Sequence, residues 1–266
     1  MKINYQETTS DLLKRIDIHN KFGARDIDAW MLEILPLKAD MNILDVGCGA
    51  GKQCFSYYDH LKGQASITGG DVSQELLGQA RLEASRRNVP VEFIELNFNR
   101  PFPQAENSFD LVSCCFAIYY AENVPFTIGE MHRVLKPGGH LFTSGPMPDN
   151  KKIFYDIIRE ATGKAIPPMP GSSRYGSEFL TTIRSVFSTV DVQIFENPLT
   201  FAAVEPFIEY TRASLSEDRK LWNSFFQTKD DFERIMAQIA ETAARWLARD
   251  GKLVMTKVVG GFIATK

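Results

Sequence analysis

The 266-residue sequence has little sulfur, few histidines, no basic tract and no long apolar run. Nothing approaches the roughly 20 consecutive apolar residues that cross a bilayer. The first residues, Met1 to Glu7, lack the apolar core of a secretory leader, so a cytoplasmic location without membrane association is expected. Lys and Arg number 30 against 33 Asp and Glu, for a formal net charge of −3. A general nucleic-acid surface is therefore not expected. The four cysteines, Cys48, Cys54, Cys114 and Cys115, have no zinc-ligand spacing, and a bridge between Cys114 and Cys115 would strain a strand. Buried, reduced thiols fit best. Asp149-Asn150 could contribute oxygen ligands, but no acid ends the fourth strand to complete a set. The pair reads as a loop and helix cap, and no metal is expected. Internal repeats and low-complexity tracts are absent, and nothing in the sequence sets an oligomeric state.

What is present is a dense signal between residues 43 and 71. An apolar run, Ile43-Leu44, ends in Asp45, and Gly47, Gly49 and Gly51 follow at alternating positions before a helix-compatible stretch. A second apolar run, Ala65 to Gly70, ends at Asp71. The pattern predicts a strand–turn–helix–strand unit whose glycines let backbone approach a ligand closely. Asp71 sits at a strand tip, where a carboxylate accepts from both hydroxyls of a ribose. The spacing Gly-x-Gly-x-Gly after an acid differs from the Gly-x-Gly-x-x-Gly of pyrophosphate-binding loops. Asp45 suits an ammonium group better than a pyrophosphate.

Around this unit the chain alternates. Strands are predicted near 42–46, 66–71, 91–96, 109–115 and 139–145, and helices near 52–62, 73–87 and 124–135. Ser73 is a helix N-cap, and Lys136-Pro137-Gly138-Gly139 turns the chain into the fifth strand. Continuous apolar strands imply helices on both faces. Residues 9–37 read as helical, up to Pro36. Beyond Ser144 come a helical piece at 150–162, a proline-rich loop at 166–176, a helix near 177–187 and a strand near 189–196. Apolar stripes including Phe207, Tyr210, Leu215, Leu221, Trp222, Phe225, Phe226, Phe232, Ile239 and Trp246 make 204–249 helical, and a strand at 258–264 closes the chain. The expected fold is α/β: a doubly wound, Rossmann-like, mostly parallel seven-stranded sheet with a helical cap inserted near the C-terminus. Its parts are an N-terminal helical segment (1–37), the Rossmann-like domain (38–200 and 251–266) and the cap (201–250).

The glycine loop with its two acids resembles the first motif of class I S-adenosylmethionine-dependent methyltransferases, in particular the small-molecule branch of ubiquinone-biosynthesis enzymes. The likeness covers residues 42–145. It implies S-adenosyl-L-methionine as cofactor and S-adenosyl-L-homocysteine as product. It places Asp45 at the α-ammonium group, Gly47, Cys48, Gly49 and Gly51 around the methionine part, Asp71 on the ribose hydroxyls and Val72 against adenine. The family's adenine-reading aspartate corresponds to Asn97, whose amide both accepts and donates, with Phe98 beside it. Cys115 and Phe116 end the fourth strand, where cofactor and acceptor meet. Arg133 to Gly139 matches a family stretch that is structural.

Methyl transfer from a sulfonium is an in-line displacement, so the protein must align the acceptor, exclude water and, for a hydroxyl, receive a proton. The sequence names no base. Tyr119, Tyr120 and His19 are weak candidates, set against aromatic packing for the tyrosines and a solvated position for the histidine. Phe116, Tyr119, Arg174 and Tyr175 are candidate acceptor contacts, with an exposed loop arginine the plain alternative for Arg174. An apolar cap over the sheet edge favours a small molecule as methyl acceptor, with O-methylation ahead of N- or C-methylation. The motif Asn/Asp-Pro-Pro-Tyr/Phe of nucleic-acid amino methylation is missing. An NAD(P)-dependent oxidoreductase and a cofactor-binding protein without catalysis are the alternatives.

Overall fold

The computed structural model describes residues 14, 17–19, 21–164, 174–214, 225 and 228–266. The expectations at Leu215, Leu221, Trp222, Phe226 and most of the 166–176 loop lie outside them. In chain order come α1 (Ile27–Ile34), β1 (Met41–Val46), α2 (Lys52–His60), β2 (Ala65–Asp71), α3 (Gln74–Arg87), β3 (Glu92–Glu95) and β4 (Phe109–Cys115). A 3-10 turn (Ile118–Tyr120), α4 (Val124–Val134), β5 (Leu135–Pro146) and α5 (Lys152–Thr162) follow. A π turn (Tyr175–Phe179) runs into α6 (Leu180–Val186), and β6 (Thr189–Phe201), α7 (Val204–Ala213), α8 (Lys229–Asp250) and β7 (Leu253–Thr265) complete the chain.

The seven strands form one sheet in the order β3-β2-β1-β4-β5-β7-β6. The pairs from β3 to β5 are parallel and β7 runs antiparallel to β5. The order reverses between β1 and β4, and in open α/β sheets ligands bind in the crevice at such a switch point. Local chemistry sets the helices. Ser73 Oγ accepts the Leu76 N–H at 3.3 Å, as its N-cap position predicts. Asn123 caps α4 and Thr228 caps α8 in the same way.

Two compact units divide the chain. The sheet unit comprises 27–148, 171–195 and 259–266. One of its cores joins Leu44, Val46, Val112, Cys114, Leu141 and Phe262 to α4 and α6, and the other joins Ile43, Leu111 and Phe142 to α1, α2 and α3. The helical unit comprises 1–26, 149–170 and 196–258. There α8 packs on α5 and α7 around Phe154, Phe201, Phe207, Tyr210, Ile239 and Met255. Asn197 ties a turn into it, accepting from the N–H groups of Ala24 and Arg25 and donating to the Arg25 carbonyl. The sequence boundaries at 37, 200 and 251 are thus not those of the units. The helix at 152–162 and residues before 27 group with α7 and α8, because one apolar cluster serves them all.

Three strands are longer than their sequence readings: β6 runs on to Phe201, β7 starts at Leu253, and β5 starts early. β5 begins at Leu135, not near 139. The register steps from Phe109↔Leu135 to Leu111↔His140, so residues 136–139 bulge out of the ladder. Gly138, at φ +75°, donates to the Lys266 carbonyl, and Lys266 N–H donates to Gly139 O. The Lys266 ammonium donates to the carbonyls of His132, Arg133 and Leu135. It thereby satisfies the last turn of α4.

Candidate active site

The glycine loop leaves the C-terminal end of β1 and enters α2. Gly47 N–H and Cys48 N–H both donate to Gly70 O, at 2.7 and 3.1 Å, which folds the loop onto β2. Gly47 has φ +73°, and a Cβ there would stand 2.6 Å from the Cβ of Ala117, with the Phe98 ring at 3.7 Å. Close packing of the loop on the residues after β3 and β4 requires glycine at that position. Gly49 is different. Its φ is +54°, and the nearest atom to a built Cβ is Leu76 Cδ1 at 4.0 Å. That face of the loop is open.

Asp71 closes the loop from the tip of β2. Its Oδ2 accepts the Gly49 N–H at 2.8 Å and its Oδ1 accepts the Ser73 N–H at 2.9 Å. One carboxylate thus organises the loop and the start of α3. Val72 is 57% exposed and Leu76 36% exposed on the same rim. Asn97 is exposed, and its Oδ1 accepts the Asn99 N–H at 2.9 Å. Phe98 is half-buried against the core and its carbonyl accepts from Thr127 Oγ1. Phe116 follows β4 at φ +54° and is 38% exposed. A bulky residue in the left-handed region is strained, and such strain gathers at functional positions.

Asp45 lies deeper than the sequence indicates. It is 2% exposed. Its Oδ1 accepts from Ser113 Oγ at 2.6 Å and its Oδ2 from the Cys54 thiol at 3.7 Å. Burial pushes its pKa up to about 7; the Ser113 and Cys54 donors oppose that rise and the Asp71 charge adds to it. Ser113 is the register partner of Asp45. Burial also pushes up the thiols of Cys114 and Cys115, and the thiol of Cys54 is raised first by its hydrogen bond with Cys48 and then by burial. Tyr57 is likewise buried with its phenol held in the neutral form. Its hydroxyl, Gln53 Nε2 and Ser144 Oγ are buried with no hydrogen-bond partner among the described residues. Sequence reading missed Gln53, Cys54, Tyr57, Ser113 and Ser144. Only strand register brings Ser113 to Asp45 and Ser144 to Cys115.

The other candidates are distributed as follows. Tyr119 and Tyr120 form the 3-10 turn after β4, with rings 4.8 Å apart, and Tyr120 is 71% exposed. Arg174 Nη1 donates to the carbonyls of Tyr119 and Ala121, and its guanidinium pairs with Glu178 and faces the Phe179 ring. It therefore braces the tyrosine turn. Tyr175 corrects the sequence reading. It is fully buried, stacks on Phe262 at 4.4 Å and bonds to Thr143 Oγ1 through its hydroxyl. It is a core residue, because the π turn directs it under β5. His19 lies in the helical unit, stacked on Tyr210 with centroids 6.0 Å apart. Arg133 bonds Glu130 and the carbonyls of Phe102 and Gln104, a structural role like that read from sequence. Among the described residues no group of His, Cys, Asp and Glu could hold a metal ion, and no helix is long and apolar enough to cross a membrane.

Residues 43–139, from β1 to the start of β5, match a sequence family described as a methyltransferase domain. The chain superposes on the YcgJ protein of Bacillus subtilis with a TM-score of 0.59 at 16% identity, covering 90% of this chain and 97% of that one. A SAM-dependent methyltransferase from Aquifex aeolicus superposes with a TM-score of 0.53 at 18% identity, covering 72% and 91%. Residues 43–139 are thus a class I S-adenosylmethionine-dependent methyltransferase domain. The chain is 29% identical over 175 residues to a demethylmenaquinone methyltransferase of Thermus thermophilus, covering 63% of this chain and 78% of that protein. It is 30% identical over 129 residues to a ubiquinone biosynthesis O-methyltransferase of Dechloromonas aromatica, covering 48% and 54%. The methyltransferase spans only about half the length of several such relatives. The loop fits the cofactor: the open face at Gly49, the Asp71 carboxylate and the apolar rim of Val72 and Leu76 lie together. The family match over these residues sets a nicotinamide oxidoreductase aside.

Proposed function

We propose that the methyltransferase acts on an oxygen of a small, ring-bearing, partly apolar acceptor. The observation that carries this reading is the aromatic rim after β4. Phe116 and Tyr120 are exposed beside the cradle end of the sheet, and Tyr119 pairs with Tyr120. Flat aromatic faces suit a ring acceptor. The relatives named for quinone-pathway methylations support the same substrate class. An acidic chain without a basic tract supports a small molecule over nucleic acid, and a cytoplasmic location accords with the composition.

The cofactor supplies, when bound, an activated methyl group on a sulfonium with a neutral thioether as leaving group. Asp71 keeps acceptor lone pairs for the ribose hydroxyls, since a carboxylate has about four and two are used here. Asn97 and Phe98 meet the adenine edge and face, with Val72 against its other side. Gly47, Cys48, Gly49 and Gly51 admit the methionine portion, with Asp45 beneath the loop and Cys115 at the end of β4. Phe116 and Tyr119 position the acceptor ring, and a tyrosine hydroxyl of the Ile118–Tyr120 turn hydrogen-bonds the acceptor oxygen, whose proton passes to solvent. Arg174 acts through Tyr119, holding its carbonyl at 3.2 Å.

The test is incubation of the purified protein with methyl-labelled S-adenosylmethionine and a panel of phenols, hydroquinones, amines and carbon acids, with mass spectrometry of the products. An O-methylated phenol or hydroquinone is expected. An N- or C-methylated product overturns the oxygen assignment. Cofactor binding without turnover on any member supports a binding protein that has lost catalysis.

A further inference from the structure

Asp45 sits in an unusual electrostatic setting. Its carboxyl is 2% exposed and is held by a hydroxyl and a thiol, both neutral. The titratable groups around it are Cys54 and Tyr57 from α2, Cys48 from the loop, Asp71 from β2, and Cys114 and Cys115 from β4. Every one is an acid. Among the described residues no lysine, arginine or histidine acts on Asp45. A carboxylate buried without a cation, facing a second carboxylate, takes up a proton in preference to standing charged. The Tyr57 hydroxyl, which interacts electrostatically with Asp45, is buried with no hydrogen-bond partner among the described residues, a donor in reserve for the charged carboxylate.

We propose that Asp45 couples occupancy of the glycine cradle to a proton, standing neutral in the empty cradle and ionising when the positively charged end of the cofactor arrives. The proposal rests on the cofactor reading and adds to it a proton. The proton leaves to solvent, and the charge it leaves behind is neutralised by the ligand's ammonium and sulfonium groups and solvated by the Ser113, Cys54 and Tyr57 donors. A carboxyl that is neutral only below about pH 7 makes the linkage one-sided. Below that pH, binding releases a proton and affinity rises with pH. Above it, the carboxylate is already charged and affinity levels off.

The experiment is calorimetric titration of the full chain with S-adenosylmethionine at pH 6 and pH 8, in paired buffers of different ionisation enthalpy. Free α-amino groups titrate near pH 8, so the readout is the wild type minus Asp45→Asn at pH 6. Close to one proton released by the wild type, and none by the variant, is the expected result. Dissociation constants should fall by about tenfold per pH unit from pH 5 to 6.5 in the wild type only. Should Asp45→Asn fail to fold, Ser113→Ala serves. It removes a donor to the carboxylate and should move the levelling-off pH upward. Wild-type binding at pH 6 without proton release, release unchanged in Asp45→Asn, or a levelling-off pH unmoved in Ser113→Ala overturns the coupling. Absence of binding at either pH overturns the cofactor reading instead.

Discussion

Asp71 Oδ2 accepts the backbone N–H of Gly49 at 2.8 Å across 22 positions of sequence. The bond makes the second acid of the motif a structural part of the first. The carboxylate that would hold a ribose also sets the curvature of the loop that would hold the methionine end. Asp71→Ala therefore removes two charge-assisted bonds within the protein and, on the proposed reading, two to the ligand. At about 1.5–3 kcal/mol for such a bond, cofactor affinity should fall at least 100-fold, read by calorimetry. A loss of threefold or less would mean that Asp71 does not touch the ligand.

Gly47 and Gly49 should separate on substitution. Both have positive φ, which costs an L side chain about 1–2 kcal/mol. A Cβ at Gly47 also strikes Ala117 at 2.6 Å, whereas at Gly49 it meets nothing nearer than 4.0 Å. Gly47→Ala should destabilise the fold by about 2–4 kcal/mol. Gly49→Ala should lose only about 1–2 kcal/mol and still abolish cofactor binding, because its methyl group projects into the open cradle. Denaturant unfolding and calorimetry on both variants decide this; retained binding by Gly49→Ala would show that the ligand does not approach that face.

Asp45 also predicts how stability depends on pH. Its pKa is raised from 3.8 unfolded to about 7 folded, so the native state holds a proton that the unfolded state loses. Stability is fully present below pH 4 on this account and is lost as pH rises towards 7. The shift corresponds to about 4 kcal/mol for this group alone. The cofactor-free Asp45→Asn variant should lack this falling segment between pH 4 and 7 and be relatively more stable at pH 8. Parallel stability curves for wild type and variant would show that the carboxyl is ionised throughout.

The sheet and its glycine cradle were legible because each leaves a local trace. Continuous apolar strands, alternating glycines and Asp71 at a strand tip all lie within a 29-residue window, 43 to 71. What was hidden depends on register and on long-range packing. Ser113 meets Asp45 only because β4 pairs with β1 at that step, and no spacing rule brings residues 68 apart together. Tyr175 read as a loop aromatic since prolines and serines precede it, yet the ring stacks on Phe262, 87 positions away. The grouping of 152–162 with α7 and α8 is likewise a matter of which apolar faces meet. Helical periodicity locates a face without naming its partner.

The division of labour between Phe116 and Tyr175 gives the sharpest test of the acceptor site. Sequence alone put both against the acceptor, and their surroundings separate them. Tyr175 is buried with its hydroxyl on Thr143, so Tyr175→Phe leaves a buried hydroxyl short of a partner and should cost about 1–3 kcal/mol of stability. Its effect on the KM for an acceptor should be less than twofold. Phe116 is 38% exposed and strained at φ +54°. Phe116→Gly relieves that strain, so the fold should be as stable as wild type or slightly more so. Removing the ring should raise the acceptor KM about tenfold, the value of roughly 1.4 kcal/mol of lost contact, while the affinity for the cofactor stays within a factor of two. Measured on the acceptor that emerges from the product screen, the reverse pattern, with Tyr175→Phe raising KM and Phe116→Gly leaving it alone, would move the acceptor from the end of β4 to the far side of β5.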